Sequence, residues 1–197
     1  MIDINNLNND IKHTSEHLQL MNKILTSYDI VHGVLHKNKI ELAKDFEIEF
    51  VNFQYILVLS QFELSLVFKS IYYSLNDLEK IHNIKRGLLI LYETKIALDK
   101  LNLTLRRISL DFPQLEDEFK LIIDLIRDSK KIILSHDRIE DIRNNVSAHI
   151  NPIFLEYYKY FEKVDLSEDL NLLMNMKKTF YTIENFISKV RSLKRQT

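Results

Sequence analysis

Two glycines and two prolines in 197 residues constrain this chain more than any other feature. Ordinary proteins carry roughly 7% Gly and about 5% Pro. A sheet protein needs many tight turns, and those turns need residues that tolerate special backbone angles. Long helices joined by few connections need far fewer. The depletion therefore predicts an all-α fold, an up-and-down helical bundle. The chain is short enough for one domain, 1–197, and long enough to bury a core. Its 46% hydrophobic and 28% charged residues are a globular balance.

Charge and cysteine narrow the chemistry. With 27 basic and 28 acidic residues the formal net charge is −1, so no global charge draws the chain to nucleic acid or membrane. Cysteine is absent, which removes disulfides, thiolate metal sites and a cysteine nucleophile. The Asn- and Asp-rich start lacks the basic-then-apolar pattern of a signal peptide. The most apolar stretch, Tyr55 to Phe68, is interrupted by Gln61 and Glu63, shorter than the roughly 20 apolar residues of a span. The expectation is a cytoplasmic protein without a membrane partner.

Apolar spacing and breaker residues divide the chain. A first helix is expected from about Leu7 to Tyr28, with Gly33 and Asn38 loosening the chain after it. A second runs through Phe50, Phe53, Leu57, Leu64 and Phe68; the strand-like alternation Phe46–Phe50 is assigned to it because no turn signals bound it. Asn76-Asp77 offers an N-cap for a third, in which Gly87 marks a close helix contact. Asp111-Phe112-Pro113 is a boundary, with Pro113 suited to a first helical turn. A fourth helix follows through Phe119 and Ile126 and restarts near Ser135. Asn151-Pro152 ends the next one. Asp165-Leu166-Ser167-Glu168 opens the last as a capping-box-like start, and Lys189, Arg191, Lys194 and Arg195 suit its C-terminus.

Chemistry concentrates in Arg143-Asn144-Asn145-Val146-Ser147-Ala148-His149, on a helix expected at about 136–150. At about 100° per residue, Ile139, Ile142, Val146 and Ile150 form one apolar stripe. Arg143 falls roughly 55° to one side of it and His149 roughly 65° to the other, about 9 Å apart along the axis. The two flank one seam without touching. If that seam packs on a second copy, Arg143 of one chain approaches His149 of the other, twice over by symmetry. Imidazoles titrate near neutrality and can serve as general base and general acid. Arginine offers a planar fork of donors to a phosphate, and an adjacent Asn can orient it.

Arg143-Asn144, four residues and then His149 resemble the Rx4–6H signature of the HEPN superfamily, with Asn144 as the polar residue after the arginine. The Ala-His ending followed by Ile150-Asn151 is similar to versions found in bacterial phage-defence and toxin proteins. The resemblance covers seven residues in an all-α chain. It implies an α-helical homodimer whose paired motifs form a metal-independent endoribonuclease cleft. Arg143, Asn144 and His149 would be the catalytic set, with an RNA substrate, a second copy of the chain and an antitoxin protein as partners and no cofactor. Some family toxins carry a Tyr two residues after the His; here that position is Asn151, against regulation by nucleotidyl modification there. The alternative is a non-catalytic helical interaction or RNA-binding scaffold protein. In a purely structural role, a third reading, Arg143 makes a surface ion pair with Glu140 or a similar acid and His149 caps a helix end.

Weaker patterns read as structure. His13-Thr14-Ser15-Glu16-His17 matches the inverted zinc-peptidase spacing, but no third ligand helix is recognisable and a solvated face is expected. His32 and His36 repeat the spacing around Gly33 and read as surface. Glu79 and His82 have di-iron half-site spacing without a second copy. His136-Asp137 resembles a phosphohydrolase metal dyad and reads as a helix start. The runs Tyr72-Tyr73 and Tyr157-Tyr158-Lys159-Tyr160-Phe161 could stack on bases, with core packing the favoured role. Lys130-Lys131 and Arg106-Arg107 are candidate phosphate contacts that also suit a solvated face.

Overall fold

A computed structural model describes residues 3–37, 46–136, 139 and 164–194, and these form helices with no strand among them. The first helix, α1, spans Ile4–Lys37. Asp3 caps it: its Oδ1 accepts from the backbone N–H of Asn5 at 3.0 Å and of Asn6 at 3.2 Å. The helix is longer than its apolar pattern indicates and passes through Gly33. A single internal Gly disfavours a helix by only about 1 kcal/mol, and here it does not end it.

Helix α2 spans Phe46–Tyr73 and takes in the alternating Phe46–Phe50 stretch. Helices α1, α3 and the C-terminal helix all pack against it. That is why its buried residues, among them Phe50, Val51, Phe53, Leu57 and Val58, are not confined to one stripe. The wider stretch Glu49–Tyr73, with mean hydropathy 1.3, is long and apolar enough to cross a membrane, unlike the narrower Tyr55–Phe68 window; 61% of its apolar window is buried within the protein.

Helix α3, Asp77–Ile108, follows after a three-residue connection. Asn76 Oδ1 accepts from Glu79 N at 3.0 Å, and Glu79 Oε2 accepts from Leu75 N at 2.8 Å, so cap and first turn satisfy each other. Gly87 is a close helix contact: a Cβ there would lie 2.5 Å from Leu173 Cδ1. Ser60 and Thr94 share a 2.6 Å hydrogen bond and Arg107 meets Glu49 at 2.7 Å, which places α2 and α3 antiparallel.

The Asp111–Pro113 boundary is two single 3-10 turns, Ser109–Asp111 and Pro113–Leu115, with Pro113 in the first position of the second. Phe112 and Leu115 turn inward and are buried. Helix α4, Glu116–Ser135, opens on Glu116, Asp117 and Glu118, acids that suit the positive end of a helix dipole. The C-terminal helix, α5, spans Leu166–Lys194. Lys189 reaches Glu118 at 2.6 Å and Gln54 Nε2 donates to Glu184 at 2.6 Å, so α5 runs antiparallel to both α4 and α2. Phe119 meets Phe186 edge-on, centroids 4.9 Å apart, within the main core. Met21, Val51 and Val58 form a smaller cluster between α1 and α2.

Candidate functional site

The chain between α4 and α5 carries the motif, and both of its ends are held at one carboxylate. Helix α4 stops at Ser135, and His136 takes an extended conformation with φ −88° and ψ 91°. Its Nε2 lies 3.0 Å from Asp169 Oδ1, with the two side chains 11% and 0% exposed. Asp169 Oδ2 accepts from Asp165 N at 3.0 Å. Asp165 Oδ1 in turn accepts from Ser167 N at 2.9 Å and Glu168 N at 2.8 Å. The cap of α5 is therefore closed by Asp169, one residue beyond the Glu168 of the capping-box reading. One oxygen of Asp169 serves the helix start and the other faces the imidazole that ends α4.

Ile139 N donates to His136 O at 2.9 Å, and Ile139, 1% exposed, belongs to the main core of its own chain. Arg143, Asn144 and His149 lie outside the described residues, as do Ile142, Val146, Ile150, the Asn151-Pro152 boundary, Asp137 and the Tyr157–Phe161 run. The sequence pattern missed the His136–Asp169 pairing because 33 positions separate the partners and neither forms a local motif with the other.

A cavity of about 510 Å³ opens between α1, α2 and α5. Leu7 and Phe68 give it an apolar floor; Asp10 and Lys177 form an ion pair at 2.8 Å across it. Gln61 lines it while only 3% exposed, and its Nε2 has no hydrogen-bond partner among the described residues. His13 stands on the exposed rim. No family model, no curated protein and no solved structure matches this chain.

Other patterns find ordinary partners. Among the described residues no group of three or more His, Asp or Glu side chains could hold a metal ion. Glu79, half of the di-iron spacing, is engaged in the α3 cap. Burial lowers the His82 imidazole below its usual range, and the Lys85 and Arg86 charges lower it further. Burial also raises the Glu63 carboxyl, partly offset by Arg86. Lys130 pairs with Asp99, Lys131 lies 3.6 Å from Asp128, and Arg107 pairs with Glu49, so each of these three phosphate-contact candidates has an acid beside it. Arg106 Nε donates to Asn102 at 3.4 Å.

Tyr72 and Tyr73 correct the expectation of core packing. They are 49% and 60% exposed, with rings edge-on at 5.1 Å, at the C-terminal end of α2. The exposed Leu75 and Leu78 continue the patch past the end of α2.

Proposed function

We propose that this chain is a metal-independent endoribonuclease of HEPN type, a cytoplasmic toxin or phage-defence effector. The observation that carries the reading is the Arg143-Asn144-x4-His149 motif in a chain whose described residues form a helical bundle. In this reading residues 1–197 form one up-and-down, HEPN-like bundle that pairs with a second copy, and an antitoxin protein is a natural partner. The tether at His136 and Asp169 supports it, because catalytic groups need a rigid support to hold their geometry. Ile139 is buried in its own chain's core, so in this reading the dimer contact does not use it.

The chemistry needs no metal and no protein nucleophile. His149 acts as acid and base: one imidazole takes the proton of the ribose 2′-hydroxyl, whose oxygen attacks phosphorus. The imidazole of the second copy protonates the departing 5′-oxygen. The bond between phosphorus and that oxygen breaks, leaving a 2′,3′-cyclic phosphate and a 5′-hydroxyl. Arg143 stabilises charge growing on the phosphate oxygens and Asn144 positions it. Single-stranded RNA incubated with the purified chain in EDTA should be cut to products with those ends. Intact RNA would contradict the proposal, and strong inhibition by EDTA would point to a metal-dependent reaction.

A second reading, a non-catalytic helical interaction or RNA-binding protein, draws on the exposed cluster of Tyr72, Tyr73, Leu75 and Leu78. Binding of RNA without cleavage would favour it.

A further inference from the structure

We propose that the groove between α2 and α3 is a docking surface for a second copy of this chain, related by a two-fold axis near Ile96. The groove encloses about 450 Å³ and is lined by residues of α2 and α3 alone. Ile56 and Leu59 form one wall, and Leu89, Ile96 and the small Ala97 form the other. Helix α3 carries two apolar seams, each with a seven-residue repeat, the interval that keeps side chains on one line between packed helices. Leu91, Leu98 and Leu105 face the main core and are fully buried. Leu89, Ile96 and Leu103 form the other seam, where Ile96 is 51% and Leu103 71% exposed. An outward seam of this kind is a contact surface in search of another helix.

Charge selects the occupant. Ser60 lies opposite Thr94, which sets Glu63 of α2 level with the Leu89–Glu93 turn of the antiparallel α3. Glu63 and Glu93 therefore stand toward one end of the groove and Lys100 toward the other. Glu93 and Lys100 make no ion pair among the described residues. Glu93 precedes Ile96 by about 4.5 Å along the helix axis and Lys100 follows it by about 6 Å. A two-fold axis crossing the helices at Ile96 runs the two copies of α3 antiparallel. It brings Glu93 of each chain to Lys100 of the other, twice by symmetry. The face is thus complementary to itself: the acidic end meets the basic end, and apolar walls meet apolar walls. Ala97 beside the axis leaves room for the helices to approach. A partner helix with a single sign of charge would match only one end.

This contact uses no residue of the Arg143–His149 segment, so it stands or falls apart from the ribonuclease reading.

Analytical ultracentrifugation of the full chain should show reversible self-association. Glu93→Lys sets lysines against each other at both ends of the contact and should weaken association at least about ten-fold. Lys100→Glu should do the same with acids. Both positions are exposed, so the fold tolerates either change. The double variant restores opposite charges and should recover most of the wild-type affinity, which a local effect on helix stability would not do. Because the chain has no cysteine, Ile96→Cys supplies a single thiol. A short bis-maleimide should link two such chains. Leu103→Cys, at a more exposed position but about 21 Å along the axis from its counterpart, should not be linked. A wild type that stays a single chain would overturn the proposal and leave the groove to a different protein. Single reversals without effect, a double variant no better than the singles, or equal cross-linking at the two positions would overturn it as well.

Discussion

His136 and Asp169 meet at 3.0 Å where α4 ends and α5 begins, joining the two points between which the Arg143–His149 segment leaves and returns. Asp169 is fully buried and also closes the α5 cap through Asp165 N. Asp169→Ala removes both contacts and leaves a buried imidazole without its carboxylate. It should destabilise the fold by about 3 kcal/mol, through a lost buried hydrogen bond and a lost helix cap. Glu168→Ala, at an exposed position, should change stability by less than about 1 kcal/mol. Urea unfolding of the two variants checks this; equal losses would show that Asp169 is not the capping acid.

Gly87→Ala reverses the usual sign of such a change. In an exposed helix the substitution is worth up to about 1 kcal/mol of helix propensity. Here the new Cβ would sit 2.5 Å and 2.9 Å from the two methyl carbons of Leu173, which is fully buried and has neighbours on every side. Overpacking should lower stability by about 1–3 kcal/mol. In the Leu173→Ala background the same change should become neutral or favourable, a coupling of at least about 1 kcal/mol in a double-mutant cycle. Additive losses would contradict the contact.

How far the residues alone disclose this fold depends on the range of the forces involved. Asn76, Gly87 and Pro113 are legible because caps, close approaches and first turns follow from local chemistry. The extent of α1 is not, because continuation through Gly33 is a small local cost against a long helix. Tyr72 and Tyr73 look like core residues by type, yet exposure depends on which helix covers the end of α2. The cavity at Gln61 and the His136–Asp169 tether join positions far apart in sequence, and no periodicity encodes such pairs. The chemistry of Arg143, Asn144 and His149 is carried by residue types and spacing alone.

His82 should titrate below the ordinary histidine value near 6.5, through burial first and then Lys85 and Arg86. A histidine whose folded pKa is depressed contributes stability that is present above the unfolded value. That contribution is lost as pH falls from about 6.5 through the folded value. NMR titration of the imidazole checks the direction. Arg86→Ala should move His82 part of the way back up, since burial and Lys85 remain. A His82 that titrates at or above 6.5 in the wild type would contradict this environment.

RNA cleavage by wild type, Arg143→Ala and His149→Ala, each verified as folded by circular dichroism and compared for oligomeric state, tests the central claim most directly. General acid–base catalysis contributes about 10²–10⁴-fold, so His149→Ala should slow cleavage by at least about 100-fold. Arg143→Ala should be similarly impaired, with helicity and self-association unchanged. A wild type that cuts no RNA, or a His149→Ala variant that cuts as fast as wild type, would contradict the ribonuclease account.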